Sequence, residues 1–509
     1  MRKPALALAA ALTALTALAL SPAAWADDTP AAAVSTGDVS STRAAMENGM
    51  NKARTKDFKG AAAEFQAIVD GPGFARLTAD IRYGILIELV MAETNAGDAK
   101  AAQAHLDQAG AIAPGQRDLT YWEYALSLGY RLGTPDAVAD AVTALARDFP
   151  DHLNDGDDRY FLAAVSMAGQ RGGAHYRAAL EALQTAGYHP ADPFHDVEYL
   201  KMDLVELYVE DGQPLAAKAL AESLTQPNSI LALQVDKRFA GFVTPDPARL
   251  VQARADAVTA AQALAAAHPT LIKGRINLAI ALLDDDRPDD ALKVLDAALA
   301  DVAAAKPDSP AYSDVDTYLN WVRDTRKTTL KTLGRWDEAV TAQIQARDTA
   351  KTDRVSQRIN LADLYIELSR PGDALAEVKT VDATNSSPYG AMAAEGARAC
   401  AYAEQRDAAK LKASLDILKT HASAGYGPLM DGLRCAGDVD TLAAMYLQRL
   451  NDPGQRTTAL MELQTWQPYP HMTDWDRKVE QVNSNIAARP DVRAAVLKYG
   501  VINTYPITR

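Results

Sequence analysis

Aromatic residues make up only 6% of this 509-residue chain, and there are only two cysteines, Cys400 and Cys435. Long β-branched runs are scarce as well, which argues against a core built from stacked sheets. Beyond the N-terminal segment no apolar run reaches the roughly 20 residues needed to cross a bilayer. No cluster of Lys and Arg stands out, and the net charge is −14. Such a chain is a poor binder of nucleic acid, because phosphate contacts need concentrated positive charge. Motifs that carry chemistry are missing too: there is no GxSxG, no Walker loop, no HExxH and no CxxC. The expectation is a protein without a cofactor and without an active site.

What the chain does contain is apolar residues at 48% with alanine dominant. Alanine is the best helix former because it loses no side-chain entropy. An all-α protein follows, with small residues letting helices approach closely.

The N-terminus, MRKPALALAAALTALTALALSPAAWA, has Arg2 and Lys3, then an apolar run, then Ala24-Trp25-Ala26. This is the layout of a secretory signal peptide over residues 1–26, cleaved after Ala26 so that the mature chain starts at Asp27. No cysteine near that site offers a lipid anchor. The expected location is the periplasm or the exterior, and no integral membrane span is expected after cleavage. In such an oxidising compartment Cys400 and Cys435 are a candidate disulfide, with buried free thiols or a redox or metal pair as the other readings.

Several segments share one layout: "DRPDDALKVLDAAL" (286–299), "GRWDEAVTAQIQA" (334–346) and "SRPGDALAEVKTV" (369–381). Each has a short turn, a small residue and then apolar residues spaced for one face of a helix. A first helix with matching periodicity precedes it, as in "INLAIALL" (276–283) and "INLADLYIEL" (359–368). Leu278-Ala279 with Leu282, Leu361-Ala362 with Tyr365, the small residues Ala291 and Ala374, and the closing prolines Pro114 and Pro150 resemble the tetratricopeptide repeat. That family is a helix–turn–helix of about 34 residues. The chain departs from it in detail: the family's tryptophan appears once, as Trp122, and its glycine in the first helix only as Gly49.

The resemblance implies an all-α, right-handed α-solenoid of stacked helix–turn–helix repeats. "TPDP" (244–247) breaks the pattern, since proline cannot continue a helix. The expected organisation is an N-terminal array over 27–243, a C-terminal array over 244–467, and a capping helix with an extended tail over 468–509. Residues 228–271 hide a degenerate repeat.

The five aspartates between Asp284 and Asp290 read as a turn. Asp284 to Asp286 close a first helix, and Asp289 and Asp290 sit in the first turn of the second, where carboxylates favour unpaired N–H groups. A calcium loop needs a turn glycine that is absent here. "GYHPADPFHD" (187–196), with His189, His195, Asp192 and Asp196, and "LNDGDDRY" (153–160) also fall short of metal-ligand spacing. No metal is expected.

The resemblance further implies that one face of the first helices lines a concave groove. That face carries Tyr160, Tyr199 and Trp321 near helix starts, Glu206, Glu210, Asp363 and Glu367 further along, and Tyr130 with Arg131. Aromatics there either line the groove or pack on the preceding repeat. In the same register Cys400 and Cys435 lie on neighbouring first helices, about one turn apart. The expected function is a non-catalytic scaffold of the cell envelope that binds a protein or peptide with basic residues. The alternatives are a glycan-handling module tied to polysaccharide export, and an enzyme or metal-binding protein.

Overall fold

A computed structural model describes residues 36–154, 158–306, 308–422 and 425–508, with side chains from Ser41 onward. The signal-peptide segment and the centre of the 153–160 loop lie outside the described residues. The chain divides into two compact units, one ending at Leu207 and one beginning at Tyr208.

The first unit consists of helix pairs. These are α1 (Thr36–Arg54) with α2 (Phe58–Val69), α3 (Ala79–Ala96) with α4 (Ala99–Ile112), and α5 (Leu119–Leu132) with α6 (Pro135–Asp148). The short α7 (Pro150–Asn154) follows, then α8 (Asp158–Gly169) with α9 (Gly173–Ala186), and α10 (Glu198–Glu210), which crosses into the second unit. There α11 (Pro214–Ala221), α12 (Pro227–Val235) and α13 (Pro247–Ala267) lead into regular pairs. Those are α14 (Lys273–Asp284) with α15 (Pro288–Ala304), α16 (Val315–Thr332) with α17 (Trp336–Thr349), and α18 (Arg354–Glu367) with α19 (Pro371–Val378). Next come α20 (Pro388–Glu404) with α21 (Ala408–Thr420), and α22 (Tyr426–Ala436) with α23 (Val439–Asn451). The chain ends with α24 (Pro453–Glu462), β1 (Thr465–Gln467), α25 (Asp474–Ala488), α26 (Pro490–Tyr499) and β2 (Thr504–Thr508).

One turn design recurs between paired helices. A residue one or two positions past the first helix takes a left-handed conformation: Gly97, Gly133, Gly212, Gly334 and Gly437, but also Lys56, Asp286, Ser369 and Arg406. The next N–H then reaches back five residues, as in Arg287 to Leu282 C=O at 2.8 Å and Arg370 to Tyr365 C=O at 2.7 Å. This satisfies carbonyls that the helix end would leave unpaired. The second helix starts in one of two ways. Asp57, Asp98, Asp407 and Asp438 accept a backbone N–H through their side chains, whereas Pro135, Pro214, Pro288 and Pro371 occupy the first turn, where no donor is missed. The small residue four on from the cap, Ala61, Ala102, Ala217, Ala291, Ala339 or Ala374, is fully buried. A larger side chain there would push the two helices apart. The repeated turn and the stacked pairs are those of a tetratricopeptide-like α-solenoid.

The boundary between units differs from the one expected at 244. Leu231, Val235 and Leu250 share one core with Val496, Tyr505 and Ile507. Val501 N–H donates to Val235 C=O at 3.0 Å, and Asp236 bridges Gly500. A Cβ on Gly500 would sit 2.3 Å from the Val235 oxygen, so only glycine permits this approach. Burial against the C-terminal tail therefore places residues 208–243 in the second unit. The tail itself is more than an extended strand. The helix expected near 474–488 is present as α25, but α26 follows it, and β2 pairs in parallel with β1. Tyr505 of β2 is fully buried and stacks on Trp466 at 4.8 Å.

The aspartate run forms the turn between α14 and α15, and it anchors this tail. Asp286, at φ 55°, accepts the backbone N–H of Thr508 at 3.2 Å and also its hydroxyl. Arg254 donates to the carbonyls of Asp284 and Thr508. Asp290 is held by Arg287 and Lys293, each at 2.9 Å.

Candidate functional site

The second unit contains a cleft of about 490 Å³. First helices of successive repeats form one side: α16 with Thr328, Lys331 and Thr332, α18 with Asp363, Ile366 and Glu367, α20 with Cys400, and α22 with Asp431, Arg434 and Cys435. Trp336 adds the start of α17. The other side is the stretch between β1 and α25, with Tyr469, His471 and Met472, followed by Trp475, Asp476, Val479 and Glu480 of α25.

This arrangement follows from local sequence. Lys331 and Trp336 flank the glycine turn at Gly334, where a Cβ would come 2.9 Å from His471. Asp363 and Glu367 are one helical turn apart and so share a face. Thr473 and Asp476 form a reciprocal capping box that fixes the start of α25. Trp475 is thereby buried in a cluster with Tyr365, Cys400 and Cys435. Pro468 and Pro470 stiffen the approach to that cap.

Cys400 and Cys435 are joined by a disulfide with Cα atoms 4.9 Å apart. The bridge ties α20 to α22 and forms part of the cleft wall. Behind it, Arg434 donates to Asp431 at 2.7 Å and to the Tyr446 hydroxyl at 3.0 Å. Tyr446 donates to Glu462 at 3.0 Å, and Arg449 meets Glu462 through two hydrogen bonds of 2.8 Å. Burial works against ionisation of Glu462, but its bonds from Arg449 outweigh that and hold its pKa low. The network fixes the Arg434 guanidinium in place beneath the cleft.

Charge in the cleft is unevenly matched. Lys331 donates to Glu367 Oε1, and Arg434 pairs with Asp431. Glu367 Oε2 is buried with no hydrogen-bond partner. Asp363 is reached by water yet hemmed in by protein. This desolvation pushes its pKa up to about 7, with repulsion from Glu367 and Asp431 adding and Lys327 and Lys331 opposing. Burial also raises Asp431.

Of the residues expected to line a groove, only Asp363 and Glu367 meet in this cleft. Trp321 does not line it: the ring packs on the core cluster shared by α13 to α16, and its Nε1–H donates to Asp353 at 3.2 Å. Tyr130 and Tyr160 pack edge to face at 5.3 Å, which joins neighbouring repeats of the first unit. Arg131 donates to the Thr94 carbonyl at 3.0 Å and so caps the helix of the preceding repeat. Tyr199 is 41% exposed, Glu206 is half-buried, and Glu210 is exposed with Arg238 at 3.3 Å. Sequence reasoning missed Trp336, Asp431, Tyr469, His471 and Trp475. The density of aromatic and polar residues in "PYPHMTDW" (468–475) was the available signal, but it lies outside the repeat pattern.

The histidine loop is a structural staple. Asp158 accepts the N–H groups of Ala191 and Asp192 at 3.0 and 2.7 Å, and His195 lies 3.5 Å from it. Among the described residues no group of three or more His, Cys, Asp or Glu converges to hold a metal, and no helix is long and apolar enough to cross a membrane.

No protein-family model matches the chain, and no curated protein matches it. Several solved structures are similar in fold. One is NprR in complex with its cognate peptide NprX, at 13% identity and TM-score 0.34, covering 83% of this chain and 98% of that one. Another is apo RapI, at 9% and 0.30, covering 79% and 98%. A third is yeast Tom70, at 11% and 0.32, covering 90% and 99%. At these scores no ligand is carried over from them, and the repeat assignment rests on the turns and pairs described above.

Proposed function

We propose that this protein is a non-catalytic scaffold of the cell envelope that binds a protein or peptide segment in the cleft of its second unit. The observation that carries the reading is the cleft itself. A preformed cavity of about 490 Å³ falls in the ~300–1,000 Å³ range of specific sites. Its aromatic walls, Trp336 and Tyr469, supply contact area at low entropic cost, and a few fixed polar groups supply orientation. Stacked repeats leave such surfaces because each repeat buries only one face against its neighbours. Export rests on the layout of residues 1–26 and is tested by the N-terminal mass of the mature protein, expected to start at Asp27.

Selection of a random heptapeptide display library on the purified chain tests the binding role. The expected result is an enriched peptide whose affinity falls about tenfold on Trp336→Ala, with the variant still folded by circular dichroism. Failure to enrich any peptide, together with retention of a polysaccharide, would move the reading to glycan handling.

A further inference from the structure

The geometry points to one recognition element: the cleft takes the side chain of a lysine or arginine from the polypeptide, with its cationic head at Asp363 and Glu367 and its alkyl stem against Trp336 and Tyr469. This rests on the binding role proposed above and specifies its ligand.

The internal cations of the cleft are already committed. Lys331 is bound to Glu367 Oε1 and Arg434 to Asp431. What remains is negative. Glu367 Oε2 is buried and accepts no hydrogen bond, and a buried oxygen without a donor carries an uncompensated desolvation cost. The Asp363 carboxylate feels only charges at a distance and is bonded by none of its described neighbours. A ligand donor that reaches both satisfies the buried Glu367 oxygen and pairs with the exposed Asp363 carboxylate. An ammonium brings three donors and a guanidinium five, and neither carries an acceptor that the carboxylates would repel. A neutral sugar hydroxyl leaves the Asp363 charge uncompensated, and an anionic ligand is repelled by it.

The walls fit the rest of such a side chain. Tyr469 is 43% exposed and Trp336 is half-buried, and both line the cleft with Ile366 and Met472. Long cationic side chains bury their methylene stems along apolar surface while the head seeks polar partners. Aromatic faces also attract the cation itself through the ring quadrupole. Lysine and arginine share this chemistry. Lysine matches orphan oxygens as a compact charge, and arginine would bridge them with its planar fork.

The test is a double-mutant cycle on a heptapeptide selected from the random library, titrated against the full chain by calorimetry. Each lysine or arginine of the peptide is replaced in turn by norleucine, against wild type and Asp363→Asn. One replacement is expected to weaken binding to wild type about tenfold and to have an effect of less than about twofold on Asp363→Asn, the signature of a coupled pair. Glu367→Gln should reproduce part of the loss. Exchange of lysine for arginine at that position tells the two heads apart. If the selected peptides hold no lysine or arginine, or norleucine costs the same on both proteins, the cationic assignment is overturned and the scaffold role stands. If no peptide is enriched at all, both fall.

Discussion

Asp286 and Thr508 are 222 residues apart in sequence, yet the Asp286 carboxylate accepts the Thr508 backbone N–H at 3.2 Å. One aspartate thus does two things: it supplies the left-handed turn between α14 and α15, and it clamps β2. Asp286→Gly keeps the turn and deletes the clamp. It should raise hydrogen exchange across 504–508 and cost about 1 kcal/mol locally, the usual worth of a solvent-accessible hydrogen bond. Asp286→Ala should cost roughly 1–2 kcal/mol more, because a Cβ strains the left-handed conformation. Equal effects from the two substitutions would show that the turn carries no strain.

The Cys400–Cys435 bridge closes a loop of sequence separation 35. In the chain-entropy account such a closure is worth about 3–4 kcal/mol. Reduction, or Cys435→Ser, should lower the unfolding midpoint of the second unit and leave the first unit unchanged, since repeats couple mainly to neighbours. Alkylation before and after reductant provides the check: two thiols reactive without reductant would contradict the bridge.

Glu88 of α3 is buried, and desolvation raises its pKa to about 7 from an ordinary 4.5. Below pH 4.5 both folded and unfolded forms are protonated, so it has no effect there. As pH rises to 7 the unfolded chain releases its proton first, and stability falls; above 7 the loss is constant. The full penalty is on the order of 3 kcal/mol. Glu88→Gln should therefore stabilise the first unit at pH 8 and change little at pH 4.5, as read from denaturant midpoints at both values. An equal gain at both pH values would mean that the carboxylate is not the cause.

Asp363 should make cationic-peptide binding depend on pH. Its carboxyl, raised to about 7, must be ionised to hold a cation, so affinity should climb between pH 5.5 and 8.5. The charges facing it are Lys327 and Lys331 of α16, Glu367 of α18, Asp431 and Arg434 of α22, His471, and Asp476 and Glu480 of α25. The Asp363→Asn protein isolates the carboxyl: its affinity should vary with pH by less than half the wild-type change.

Trp321→Ala should destabilise the second unit by roughly 1–3 kcal/mol, below the cost of a fully buried tryptophan because the ring is only half-buried. Affinity for the selected peptide should be unchanged, because Trp321 lies outside the cleft. A fall in affinity with no fall in stability would return it to the binding surface.

Local rules were legible. The helix pairs of 272–381 could be placed from periodicity, turn residues and small residues, because each pair obeys spacing that spans a few residues. The aspartate run could be read as a turn for the same reason. Asp363 and Glu367 could be placed on one face from helical spacing, and both line the cleft. The same logic left Trp321 open between two roles: a first-helix aromatic has the same sequence signature whether it faces a cavity or a neighbouring repeat, and its ring packs on the core cluster of α13 to α16.

The sequence by itself determined the helical repeats, their turns and their caps, since hydrogen bonds and burial within a pair depend on residues close along the chain. Tertiary structure alone decided the site and the division into units. The cleft exists because "PYPHMTDW" (468–475) returns over α16 and α18, more than a hundred residues earlier in the chain. The second unit starts at Tyr208 because Leu231 and Val235 find their core partners in Val496, Tyr505 and Ile507. Contacts of that separation leave no period in the sequence; they are selected by which apolar surfaces remain uncovered once the repeats have stacked.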